Sequence, residues 1–140
     1  MNKEHPMMNN EVSTKTRRFD LEERLIDYSV LIAEIVETMP NTRAGNHYAG
    51  QLIRSGTSPA LNYAEAQSGE SRKDFIHKLK IVLKELRETT VCLRIINRTN
   101  LFKSKESIQQ AINESNELIS IFVKSIETAQ NNMQSSLRNS

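Results

Sequence analysis

The sequence predicts an all-α protein, an antiparallel up-down-up-down four-helix bundle, and three observations carry that prediction. Helix breakers are scarce, with 4 Gly and 3 Pro in 140 residues. Apolar residues recur every three or four positions along four long stretches, the period of a helix with one buried face. The links between those stretches are short, so consecutive helices must fold back on one another. With 37% apolar and 26% charged residues the chain suits one domain with one core. Residues 19–130 are expected to form the bundle, while the polar, aperiodic residues 1–18 and 131–140 read as flexible tails.

Helix 1 is expected to open at Asp20, with Glu23 three residues on completing a capping box and Phe19 before it as a hydrophobic staple. Leu21, Leu25, Tyr28, Ile32, Ile35 and Met39 form its seam, and Pro40 ends it. Helix 2 spans about 42–67, with Tyr48, Leu52, Tyr63 and Ala66 facing inward. The run Ser55-Gly56-Thr57-Ser58-Pro59 predicts a kink or interruption near Gly56–Pro59, with Ser58 as a new cap and Pro59 as the first residue of a restarted helix. Helix 3 starts from Ser71 as cap, with Asp74 at the third position, and carries Phe75, Leu79, Val82, Leu86, Leu93 and Ile96 inward. After a turn over 97–107, helix 4 presents Ile108, Ile112, Ser115, Ile119, Phe122, Ile126 and Ala129 on one face.

A single cysteine, Cys92, excludes an intramolecular disulfide, and the polar N-terminus has no apolar stretch suited to a signal peptide, so a cytoplasmic location is expected. No apolar run approaches the ~18 residues of a membrane span, so no membrane association is expected. The net charge of +2 says little about partners.

The placement of charge says more. From Ser71 to Thr99 eight lysines and arginines face three acids, a surplus of five positive charges. Lys73, Lys80, Lys84, Arg87, Arg94 and Arg98 share one stripe opposite the helix 3 core seam. From Asp20 to Met39 the balance reverses, with six acids against Arg24. Two solvated faces are the simplest explanation. Sign segregation adds two others. One pairs helix 1 of one subunit with helix 3 of another, through Glu23, Ile26, Asp27, Val30 and Glu34 against a basic face carrying Ile81 and Ile95. The other sets the stripe against the phosphates of RNA or DNA, giving affinity without strong sequence preference.

The segments RSGTSPALNYAEA (54–66) and SRKDFIHKLKIVLKELRET (71–89), with the opening DLEERLIDYSVLIAEIVETMP, strongly resemble the 23S ribosomal RNA intervening-sequence protein family, also called the four-helix bundle protein family. The resemblance covers about residues 20–125. More distantly, the chain is similar to the accessory variability determinant proteins of diversity-generating retroelements. The resemblance implies a four-helix bundle assembled as a barrel-like homopentamer, a basic surface for nucleic acid and no catalytic activity. Arg54, Ser55, Asn62, Glu65, Phe75, Lys78, Leu79, Lys84, Glu85, Glu88 and Thr89 match the family pattern. Pro59 and Val91-Cys92 depart from it.

Arg54, Asn62 and Glu65 on helix 2, with Lys78, Glu85 and Glu88 on helix 3, can form a polar network between the two helices. A structural role is expected, because half-buried charges fix register and partner choice more than they add stability. Catalytic chemistry has no residues to carry it: a di-iron bundle needs two Glu-x-x-His pairs, whereas only Asp74-x-x-His77 has that spacing here. Phosphate loops and nucleophile elbows are missing, and a lone helical Cys92 reads as a small core residue. No enzyme activity, metal or cofactor is expected. The partners expected are further copies of the chain, nucleic acid or another protein, the last leaving the stripe to subunit assembly.

Overall fold

The computed structural model describes residues 13–69 and 71–139, giving the backbone alone over 13–20. Four helices follow in order, α1 (Ser13–Glu37), α2 (Arg43–Gln67), α3 (Arg72–Arg98) and α4 (Lys105–Arg138). Consecutive helices pack side by side, and α4 returns against α1 to close the bundle, leaving α1 and α3 on opposite corners.

The seams expected from helical spacing are the core. Leu25, Tyr28, Ile32 and Ile35 of α1, Leu52, Tyr63 and Ala66 of α2, Leu79, Val82, Leu86, Leu93 and Ile96 of α3, and Ile108, Phe122 and Ile126 of α4 are all buried. Leu21, Met39, Tyr48, Phe75 and Ile119 pack half-buried against them. Each fully buried aliphatic side chain contributes about 1.5–3 kcal/mol by leaving water. Tyr63 of α2 meets Phe122 of α4 edge to face across the bundle, with ring centroids 5.6 Å apart. Leu118 and Phe102 are also buried. Phe102 sits in the α3–α4 connection and plugs the end of the core.

The start of α3 follows the expected chemistry, and α2 opens on a side-chain cap of the same kind. Thr42 Oγ1 accepts from Gly45 N at 3.0 Å, and Ser71 Oγ accepts from Asp74 N at 3.1 Å. At the far end of α3, Lys105 Nζ donates to the carbonyls of Asn97 (2.6 Å) and Thr99 (2.9 Å), placing a cation on a helix C-terminus.

Three expectations are corrected. Helix α1 begins at Ser13, so Asp20 lies inside it and is not its first residue; the helix-compatible run from Ser13 to Arg18 continues the same spiral outward. Residues 13–18 of the expected tail are therefore helical, and residues 1–12 lie outside the described residues. Likewise α4 continues through 131–138 as an exposed helical extension. Finally, α2 is one continuous helix with Pro59 inside it, with neither interruption nor restart. Ser58 is no cap, because its Oγ and carbonyl both accept from Asn62 Nδ2, at 2.8 and 3.0 Å.

The reason lies in what the small residues touch. A Cβ built on Gly56 would fall 2.7 Å from Ile32 Cγ2, so glycine is what lets α2 lie this close to α1. Ser55, one residue earlier, is buried against Thr89 of α3. Contacts on both sides hold the segment helical against its own weak propensity.

Candidate nucleic-acid and assembly interface

The outer face of α3 is built by the same helical spacing that builds its core face. Lys73, Lys80, Lys84, Arg87, Arg94 and Arg98 are all exposed, and none takes part in an ion pair among the described residues. The C-terminal half of this stripe differs from the N-terminal half. There Val91 (52% exposed) and Ile95 (42%) stand between the arginines. On α1 the acids Glu23, Asp27 and Glu34 are exposed together with Ile26 (39%) and Val30 (50%), so the α1 face is also a charged stripe with apolar residues set into it. Ile81 is half-buried on the flank of α3.

Of the residues expected to form a polar network, the structure joins some and separates others. Arg54 pairs with Glu88 and, at 3.4 Å, with Glu85, while Gln51 also donates to Glu88. Glu85 is the deepest of these, with its side chain 12% exposed. Lys78 and Glu65 form a separate pair nearer the surface. Asn62 belongs to neither group, since its amide is spent on Ser58 one turn back.

Two arrangements have no counterpart in the sequence reading. The first is a layer of hydroxyls through the core with one member from each helix: Tyr28 (α1), Ser55 (α2), Thr89 (α3) and Ser115 (α4). Ser115 Oγ donates to the Ala111 carbonyl at 2.7 Å, so the Tyr28 hydroxyl, 2.6 Å away, is the donor to Ser115. Thr89 Oγ1 donates to Ser55 Oγ at 2.9 Å, with the Glu85 carbonyl at 2.7 Å competing for the same proton, and Ser55 Oγ donates to the Gln51 carbonyl at 3.0 Å. Burial pushes the Tyr28 phenol up to about 12, against the opposing effect of its hydrogen-bonded neighbours Ser115 and Thr89. Burial, helped by the charge of Glu88, likewise raises the Cys92 thiol to about 11, which leaves it an unreactive core residue at neutral pH.

The second is the junction of α1 with α4. Arg24 bonds Glu114 in bidentate fashion, Nε to Oε2 at 3.1 Å and Nη2 to Oε1 at 2.8 Å, and reaches Glu117 at 3.0 Å. Beyond this clamp the helices leave a groove of about 560 Å³, floored by Tyr28 and Leu31 and bordered by Asp27, Glu106 and Glu117. Past Leu31 it runs on into a hollow of about 390 Å³ bordered by Glu34. The groove is acidic, on the side of the bundle away from the α3 stripe.

The model of the 23S rRNA-intervening sequence protein family matches residues 17–124, which take in most of the bundle. The chain belongs to that family. Its fold is similar to that of a solved protein with unknown function from the S23 ribosomal protein family of Bacteroides thetaiotaomicron, 31% identical, with a TM-score of 0.70, covering 76% of this chain and 97% of that one. No curated protein matches the chain. The hydroxyl layer, the α3 stripe and the α1–α4 groove all fall inside the family match, whereas the last turns of α4 lie beyond it. No helix among the described residues is long and apolar enough to cross a membrane, and no three His, Cys, Asp or Glu side chains among them converge as metal ligands.

Proposed function

We propose that this 23S rRNA-intervening sequence protein is a cytoplasmic, non-enzymatic homo-oligomer, a pentamer as the family resemblance implies, that binds RNA or DNA through the basic face of α3. The observation that carries this reading is the stripe of six exposed cations, none of them ion-paired among the described residues. Lys and Arg held in a row displace counterions from a phosphate backbone, and that affinity is indifferent to base sequence. Oligomerisation multiplies the effect, since each copy adds a stripe.

The test is a titration of labelled RNA and duplex DNA, with sedimentation of the same sample. Binding is expected at ~50 mM salt, with log affinity falling against log salt by about 0.9 per phosphate contacted on a duplex and about 0.7 on a single strand. An intact oligomer that binds neither at that salt would refute the reading. A second reading, in which the stripe serves subunit assembly or a protein partner instead, draws on Val91 and Ile95, because apolar side chains among the arginines suit a desolvated protein contact better than a hydrated phosphate track.

A further inference from the structure

The α1–α4 groove and the C-terminal half of the α3 stripe share a dimension. Arg87 and Arg98 stand 11 residues apart, as do Glu23 and Glu34 on α1 and Glu106 and Glu117 on α4. Eleven residues are three helical turns, or about 16 Å, so each pair looks out from one face of its helix. The Arg24–Glu117 and Tyr28–Ser115 contacts fix the register of α1 against α4. They bring Glu23 level with Glu117 at one end of the groove and Glu34 level with Glu106 at the other.

We infer that the α1–α4 groove seats the Arg87–Arg98 segment of α3 from a second copy of this chain. Laid parallel to α1, that segment brings Arg87 between Glu23 and Glu117, and Arg98 between Glu34 and Glu106. Val91 and Ile95, the exposed apolar residues between those arginines, then meet Leu31 on the floor. Charge and apolar surface are complementary in the same register, which is what sets partner and alignment at an interface.

The direction of the contact matters. Groove and stripe lie on different sides of the bundle, so the contact is head-to-tail, and a head-to-tail contact closes into a ring where its rotation divides a full turn. In an up-down-up-down bundle α3 runs the same way as α1, so parallel docking keeps every copy upright about one axis. The inference rests on the homo-oligomer proposed above and divides its stripe: Arg87, Arg94 and Arg98 go to the neighbouring subunit, while Lys73, Lys80 and Lys84 stay outside the contact and open to phosphates.

Charge exchange tests it on the full chain by sedimentation, with circular dichroism in parallel. Arg87→Glu with Arg98→Glu should dissociate the wild-type oligomer to monomer with its helix signal kept, and so should Glu106→Lys with Glu117→Lys. Either variant alone has one reversed surface. Combined in one chain, the reversed surfaces match again and assembly should return; simply mixed, the two variants can only alternate, which leaves one like-charged contact in a ring of five. Should a reversed variant unfold, Arg87→Gln with Arg98→Gln should still raise the dissociation constant at least tenfold. Lys73→Glu with Lys80→Glu should leave the oligomer intact and lower its affinity for labelled RNA. A wild-type oligomer that ignores the Arg87 and Arg98 changes, or variants that fall apart and are not rescued by exchange, would overturn the docking alone. A monomeric wild type would overturn the homo-oligomer reading as well.

Discussion

The two sides of the bundle that flank the core solve helix pairing differently. Between α2 and α3 the join is continuous: buried Ser55 meets Thr89, Arg54 lies over Glu85 and Glu88, and Lys78 reaches Glu65. Between α1 and α4 one guanidinium, Arg24, ties two glutamates, and next to that clamp the helices leave a groove. Both joins use ion pairs, yet with different results. Along α2–α3 the charged groups rim a surface already sealed by apolar and hydroxyl contacts. Along α1–α4 the clamp holds open ground beside it, bordered by Asp27 and Glu106, which have no ion pair among the described residues. A closed join belongs to the fold, and an open one with organised charge is available to a partner.

The largest expected effect comes from truncating each side in turn. Leu52→Ala removes a fully buried α2 side chain and should cost about 2–5 kcal/mol, through lost burial and the cavity left behind. Leu31→Ala on the groove floor removes the same atoms from a half-buried position, and should cost well under half as much in monomer stability. Urea melts of the two variants check the ratio. Equal losses would mean that the groove is as firmly packed as the α2–α3 join.

Next is the acid that serves two partners. Glu88→Ala strands the half-buried Gln51 and leaves Arg54 only its longer pair with Glu85, and should cost about 1–2 kcal/mol. Glu65→Ala breaks only the exposed pair with Lys78 and should cost under about 1 kcal/mol. Thermal melts that ranked Glu65 above Glu88 would contradict the depth order read from the structure.

The contrast also separates what the sequence could reveal from what it could not. Seams such as Leu25–Tyr28–Ile32–Ile35 were legible because burial repeats with the helix period, and so were the Thr42 and Ser71 ends. Ser55-Gly56-Thr57-Ser58-Pro59 misled because propensity describes an isolated segment, whereas Gly56 and Ser55 are chosen for contact with Ile32 and Thr89 on two other helices. The α3 stripe was visible as a face, being local to one helix. The groove was not, because it joins the first helix to the last, and no spacing within either one states how far apart they stand. Arg24, the sole base among six acids between Asp20 and Met39, was the available signal. A lone cation in so acidic a stretch can be asked which acids of another helix it serves.

Removing that cation is the next test in size. Arg24→Ala should cost about 1 kcal/mol, more than an exposed pair because the contact is bidentate and half-buried. Hydrogen exchange should quicken in α1 and α4 facing the groove and stay unchanged along α2–α3. Faster exchange on both sides would mean that the two joins are not independent.

The smallest effect at neutral pH is expected at the hydroxyl layer, where each of the four helices contributes a buried hydroxyl. Tyr28→Phe removes a hydrogen bond but leaves its neighbours served, since Ser115 still donates to the Ala111 carbonyl and Thr89 to Ser55. The expected loss near pH 7 is under about 1 kcal/mol. High pH gives the layer a clearer signature. The Tyr28 phenol is held up at about 12 from its ordinary 10.0, so the folded state keeps a proton that the unfolded chain releases first. Its contribution is fully present below pH 10 and is lost as pH rises through 12, and near pH 11 about 1 kcal/mol should already be gone. Cys92, raised from 9.0 to about 11, adds a loss of the same sign over a lower range. Urea midpoints from about pH 8 to about pH 11 should therefore fall less steeply for Tyr28→Phe than for wild type. The two stabilities should converge with rising pH, since phenylalanine has no proton to lose. Parallel curves would place the Tyr28 hydroxyl in contact with water, and the hydroxyl layer would then be no part of the closed core.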